Sequence, residues 1–137
     1  MTSPDLTAAA PRLAVGLGLR RGRSPEHILA ALDTVLPRAR IDCLATIDRR
    51  AGEPGLRLAA ELLGVPLYGF TAAQLANVPV PNPSDRVVEA FGIPGVAEAA
   101  ALLAGAGPLL VPRRVVSGVV IAAATAGGGA PITGAAG

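Results

Sequence analysis

Val15-Gly16-Leu17-Gly18-Leu19-Arg20-Arg21-Gly22-Arg23-Ser24-Pro25-Glu26 runs from a strand through a glycine-rich loop into a helix start. Leu13, Val15 and Leu17 alternate with small residues, the pattern of a buried strand. Ser24 suits the N-cap, and Pro25 suits the first helical position, where its missing N–H would be unpaired anyway. Glycines let backbone amides approach a ligand, and a helix N-terminus favours an anion. Arg20, Arg21 and Arg23 add full positive charge to that loop. The stretch reads as an anion-binding turn.

The loop alone leaves two readings open. Its spacing, Gly-x-Gly-x-x-x-Gly, is one residue longer than the dinucleotide fingerprint, which also needs an acidic residue at the end of the next strand. Asp42 and Asp48 lie in that region, but neither clearly plays that part. A phosphate or carboxylate site and a tight turn with solvated arginines both fit.

Outward from the loop, Ile28, Leu29, Leu32, Val35 and Leu36 fall on one helical face, and Pro37 ends that helix. Residues 41–47 read as a second buried strand. Strand, helix, strand implies a right-handed crossover and parallel pairing. The loop Asp48-Arg49-Arg50-Ala51-Gly52-Glu53 follows, then a helix with Leu56, Ala59, Ala60 and Leu63 inward. A short strand around Leu67–Phe70 and one or two helical turns at 71–77 come next. Val78-Pro79-Val80-Pro81-Asn82-Pro83 is a stiff connector that excludes a helix or central strand. Ser84 then caps a short helix, and another runs from about Pro94 to Leu103. Leu109–Val111 and Val115–Ala123 read as the last strands, with Arg113 and Arg114 at the turn between them. The expected fold is an α/β, single-domain, three-layer α/β/α sandwich with a mixed, mainly parallel sheet of about five strands. It spans residues 12–124, between a flexible N-terminal arm at 1–11 and a Gly/Ala-rich tail at 125–137.

The composition removes several function classes. Half of the 137 residues are hydrophobic but only 2% are aromatic, so a stacking platform for single-stranded nucleic acid is not expected. A net charge of +2 argues against a general binder of nucleic acid or membrane surfaces. All 12 basic residues are arginine, so no lysine can form a Schiff base, and bidentate carboxylate recognition is favoured. The single Cys43 lies in an apolar run and reads as a buried structural thiol, and the single His27 as a surface or capping residue. Together they cannot make a zinc site, and no metal or cofactor is expected. The opening residues lack the apolar core of a signal peptide. The charge-free run from Val115 ends in glycine and alanine, too weakly apolar to span a membrane. The expected location is the cytoplasm.

In an open parallel sheet, ligands sit beyond the carboxyl ends of the strands. There the first strand delivers Gly18 to Arg23, and the second delivers Thr46, Asp48, Arg49, Arg50 and Glu53. Five arginines and two acids on one rim suit a ligand with several carboxylates. The plain alternative is that Arg49 or Arg50 simply pairs with Glu53 at the surface.

Four blocks in order resemble the cobalamin-biosynthesis family formed by CobE and the C-terminal domain of CbiG. They are Val15–Gly22, Ala45–Leu56, Pro83–Val88 with Gly92 and Gly95–Leu102, and Leu109–Ala123. Where that family usually has lysine, this chain has Arg50 and, further on, Arg113 and Arg114. Ser117 stands where a last-strand threonine is common. The resemblance implies a role in building the corrin ring, in a stand-alone CobE-type form. CbiG-type proteins open a ring lactone and release a two-carbon fragment from a cobalt-precorrin.

On these grounds the candidate ligand-binding residues are Gly16, Gly18, Arg20, Arg21, Gly22, Thr46, Asp48, Arg49, Arg50, Glu53, Ser84 and Glu98. The expected ligand is a precorrin-type tetrapyrrole, whose acetate and propionate arms an arginine rim would match. The expected role is to hold it or deliver it to a pathway enzyme. A second reading is a hydrolase acting on a lactone or acyl group, with Asp48 or Glu53 as general base and arginines at the oxyanion. A third is a structural partner of another pathway enzyme, with the alanine-rich helix at 94–104 as its interface; only an exposed apolar face would support it.

Overall fold

The structure, a computed structural model, describes residues 12–78 and 96–126. The arm at 1–11, the connector from Pro79 onward, the Ser84-capped helix and the tail from Gly127 lie outside the described residues. The elements are β1 (Leu13–Gly18), α1 (Pro25–Val35), β2 (Ile41–Ile47), α2 (Asp48–Ala51), α3 (Pro54–Leu63), β3 (Leu67–Phe70), α4 (Ala72–Ala76), α5 (Val96–Ala104), β4 (Leu109–Val116) and β5 (Val119–Thr125). The strands form one sheet in the order β3-β2-β1-β5-β4. β1, β2 and β3 are parallel neighbours, while β5 runs antiparallel to both β1 and β4. The sheet is therefore mixed, with helices on both faces.

Both parallel crossovers step the same way across the sheet, so right-handedness places α1 and α3 on one face. The N-cap forms as expected, with Ser24 Oγ accepting from His27 N at 3.1 Å. On this face Leu13, Val15, Leu17 and Leu19 meet Ile28, Leu32, Leu56 and Ala59. Each large aliphatic side chain buried here contributes roughly 2 kcal/mol. The register of β1 on β2 jumps from Leu13↔Ile41 to Ala14↔Cys43, which loops out Asp42. That bulge puts both Ile41 and Leu44 on the aliphatic face, although they are three positions apart.

The other face is built from small residues. Ala14, Gly16 and Gly18 of β1 alternate with Leu13, Val15 and Leu17, and Ala122 and Ala124 of β5 lie beside them. Helix α5 settles onto this surface until backbone meets backbone. A Cβ on Gly16 would stand 1.9 Å from Ala97 O and 2.7 Å from Ala101 N. Val96 to Ala101 are all buried by this seating. The apolar face that would have made α5 a docking surface is spent inside the protein.

The last hairpin differs from its expected form. β4 continues through Pro112, Arg113 and Arg114 to Val116, and the turn falls at Ser117–Gly118. Both turn residues have positive φ, 52° and 82°, as a two-residue hairpin loop requires. β4 lies at the edge of the sheet, where proline costs no ladder bond on its free side. Ser117 is thus a turn residue, not a member of the last strand. The segment at 48–51, expected as loop, closes one helical turn.

Candidate functional site at the carboxyl edge of the sheet

Three segments converge beyond the carboxyl end of the central strand β1. They are the loop from Leu19 to Ser24, the stretch from Asp48 to Gly55, and the Ser117–Gly118 turn. The turn belongs to this edge because β5 pairs Val120 with Gly18.

The first two segments are clipped together. Arg50 Nε donates to Leu19 O at 2.9 Å, and Gly22 N donates to Glu53 Oε1 at 2.9 Å. Gly22 has φ 84°, a left-handed conformation that turns the loop back towards α1. Gly55 completes the joint: a Cβ there would lie 1.9 Å from Arg23 O, so the first turn of α3 can approach only as glycine. Below the joint the β1–β2 ladder ends at Gly16↔Ala45. Past that point Thr46 Oγ1 donates to Leu17 O at 2.7 Å, so a side chain replaces the lost ladder bond.

The third segment is tied to the helix that follows the loop. His27 Nε2 donates to Ser117 O at 2.8 Å. The Arg23 guanidinium lies over Gly118, with Nη2 2.5 Å from where a Cβ would stand. The lone histidine is thus a strut between α1 and the hairpin. The lone cysteine is buried in β2, and burial pushes its thiol up to about 11, so it stays protonated and poorly nucleophilic at neutral pH.

The candidate residues accordingly fall into groups. Arg20, Arg21, Asp48 and Arg49 are exposed on the rim. Arg50, Glu53, Gly22 and Thr46 are at the rim and hold its backbone. Gly16 and Gly18 are buried in β1, where Gly16 serves the approach of α5. Glu98 is fully buried on α5; its Oε2 accepts from Arg113 N at 3.3 Å, and Oε1 has no hydrogen-bond partner among the described residues. Ser84 lies outside the described residues. The sequence reading did not single out Gly55, His27 or the Ser117–Gly118 turn as site-building. Gly55 carried a readable signal, a glycine just inside a helix start, where it weakens the helix unless something packs on it. A cleft of about 410 Å³ between α3 and β3, lined by Ala51, Arg57, Ala60, Glu61, Val65 and Leu67, contains none of the candidate residues.

Chemically, this edge offers guanidinium groups, a left-handed glycine turn and a helix N-terminus around one strand end. That set suits carboxylates. Among the described residues no helix is long and apolar enough to cross a membrane.

Comparison with known proteins agrees with this architecture. Protein CobE from a Sinorhizobium species is 34% identical over 129 residues, covering 88% of this chain and 84% of the relative. The cobalt-precorrin-5A hydrolase of Priestia megaterium is 30% identical over 118 residues, and there the chain spans only 32% of the relative's length. The crystal structure of CobE, a protein from the cobalamin (vitamin B12) biosynthetic pathway, superposes with a TM-score of 0.74 at 38% identity, covering 84% of this chain and 90% of that one. The cobalamin biosynthesis protein chiG from Agrobacterium tumefaciens gives 0.64 at 36% identity, covering 82% and 97%. The family model described as Cobalamin synthesis G C-terminus matches residues 13–124. With these relatives and this sheet order, the chain belongs to the CobE and CbiG C-terminal family of cobalamin biosynthesis proteins.

Proposed function

We propose that this protein binds a polycarboxylate precorrin-type tetrapyrrole at the carboxyl-edge rim and holds it for, or delivers it to, an enzyme of corrin-ring construction in the cytoplasm. The observation that carries this is the clipped pair of loops. Arg50 and Glu53 fasten the backbone of the first loop, while Arg20 and Arg21 of that same loop stay exposed. A fastened loop presents its guanidinium groups with little ordering left to do on binding, which favours affinity. Tetrapyrrole precursors carry acetate and propionate arms around the ring, and bidentate guanidinium contacts match them.

The test is titration of the purified chain with intermediates made by the preceding pathway enzymes, read by absorbance and co-elution. A saturable spectral change that weakens with added salt is expected, because exposed charges are screened. Unchanged spectra and separate elution would refute the reading.

The name of the Priestia megaterium relative supports a second reading, hydrolysis of a lactone or acyl group. In this chain that work would fall to Asp48, which is exposed at the start of α2, because Glu53 Oε1 is taken by Gly22 N. Turnover retained in Asp48→Asn would exclude that assignment.

A further inference from the structure

The half-buried arginine at the back of the rim packs on the hairpin turn but leaves part of its hydrogen-bonding capacity unused. Arg23 Nε is shut away from solvent and has no hydrogen-bond partner among the described residues. Its guanidinium lies over Gly118, in space that a Cβ would occupy. The surrounding backbone is nevertheless well fastened. Arg23 O packs on Gly55, the next residue caps α1, and His27 secures the Ser117 carbonyl. A guanidinium carries five donors in a fixed fork and cannot lose its proton, so burying part of it without a partner is costly. Such a group calls for an anion that arrives later.

We infer that Arg23 is the innermost carboxylate-binding group of the rim, held against the Ser117–Gly118 turn to receive one acidic arm of the ligand. This rests on the tetrapyrrole reading above and adds to it a residue and a wall. The ligand lies between the fastened loop and the hairpin, not on the outer arginines alone. Arg20 and Arg21 are exposed, so water and salt screen their attraction. A carboxylate reaching Arg23 enters a less polar setting, where the same pairing is stronger. The outer arginines gather the ligand, and Arg23 fixes its orientation.

The test uses the full chain and uroporphyrin, a polycarboxylate porphyrin, with binding read by fluorescence quenching and stability by thermal melting without ligand. Arg23→Gln is expected to weaken uroporphyrin binding about tenfold, the worth of one charge-assisted pair, while melting at or above the wild-type temperature. Arg23→Lys keeps the charge without the fork and is expected to fall between the two. Two outcomes would overturn the inference: wild-type affinity in Arg23→Gln while an Arg20→Gln, Arg21→Gln double variant loses binding, or a sharp drop in the melting temperature of both Arg23 variants, which would make the residue a structural member. If the wild-type chain itself ignores uroporphyrin and the pathway intermediates alike, the tetrapyrrole reading falls, and this one with it.

Discussion

The two arginine-bearing loops of the rim look alike in sequence and behave oppositely in space. Leu19 to Ser24 offers main-chain atoms to its neighbour and keeps the Arg20 and Arg21 side chains outside. Asp48 to Gly55 offers side chains, those of Arg50 and Glu53, to hold that main chain in place. One loop is the instrument and the other its mounting. Charge alone therefore says little about role; which backbone atom a side chain meets says far more.

This contrast can be broken most forcefully at the joint. Gly55→Ala drives a methyl group into Arg23 O, a backbone atom that cannot swing aside. Overpacking against a backbone atom costs about 3–4 kcal/mol, at the upper end for such changes, and the better helix propensity of alanine returns about 1 kcal/mol. A net loss of about 2–3 kcal/mol should appear in urea unfolding. Arg50→Ala comes next. It leaves Leu19 O unpaired in a half-buried place and should cost about 2 kcal/mol in the same measurement, with ligand affinity falling because the loop loosens. Glu53→Ala should cost only about 1 kcal/mol, since water can reach Gly22 N and replace the carboxylate. The Arg20→Gln, Arg21→Gln double variant completes the series from the other side. Its stability should stay within about 0.5 kcal/mol of wild type, while binding weakens and becomes less sensitive to salt. A double variant that unfolds easily, or a Glu53→Ala that costs more than Gly55→Ala, would reverse the assignment of instrument and mounting.

Much of the frame was legible in the residues. The alternation of Leu13, Val15 and Leu17, the Ser24–Pro25 helix start and the apolar run at 41–47 announce β1, α1 and β2, since each rests on neighbours in sequence. The end of the chain was less legible. Arg113 and Arg114 read as a turn between two strands, yet an edge strand carries them together with Pro112, and edge position is a property of the whole sheet. Gly16 and Glu98 read as ligand contacts, but a strand glycine facing an alanine-rich helix is equally a packing device, and only the approach of α5 separates the two. Thr46, Arg50 and Glu53, read as ligand contacts, lie at the rim and hold its backbone. Their partners are backbone atoms some thirty positions earlier, which no local pattern announces.

A helix seated directly on a strand's main chain has no cushion beneath it. Where α5 touches Gly16, there is no side-chain rotamer to adjust and no methyl group to trim. The ground under the central strand is rigid and unforgiving of enlargement. On the proposed reading, any retuning of ligand binding must come from the turns above, leaving the foundation as it is.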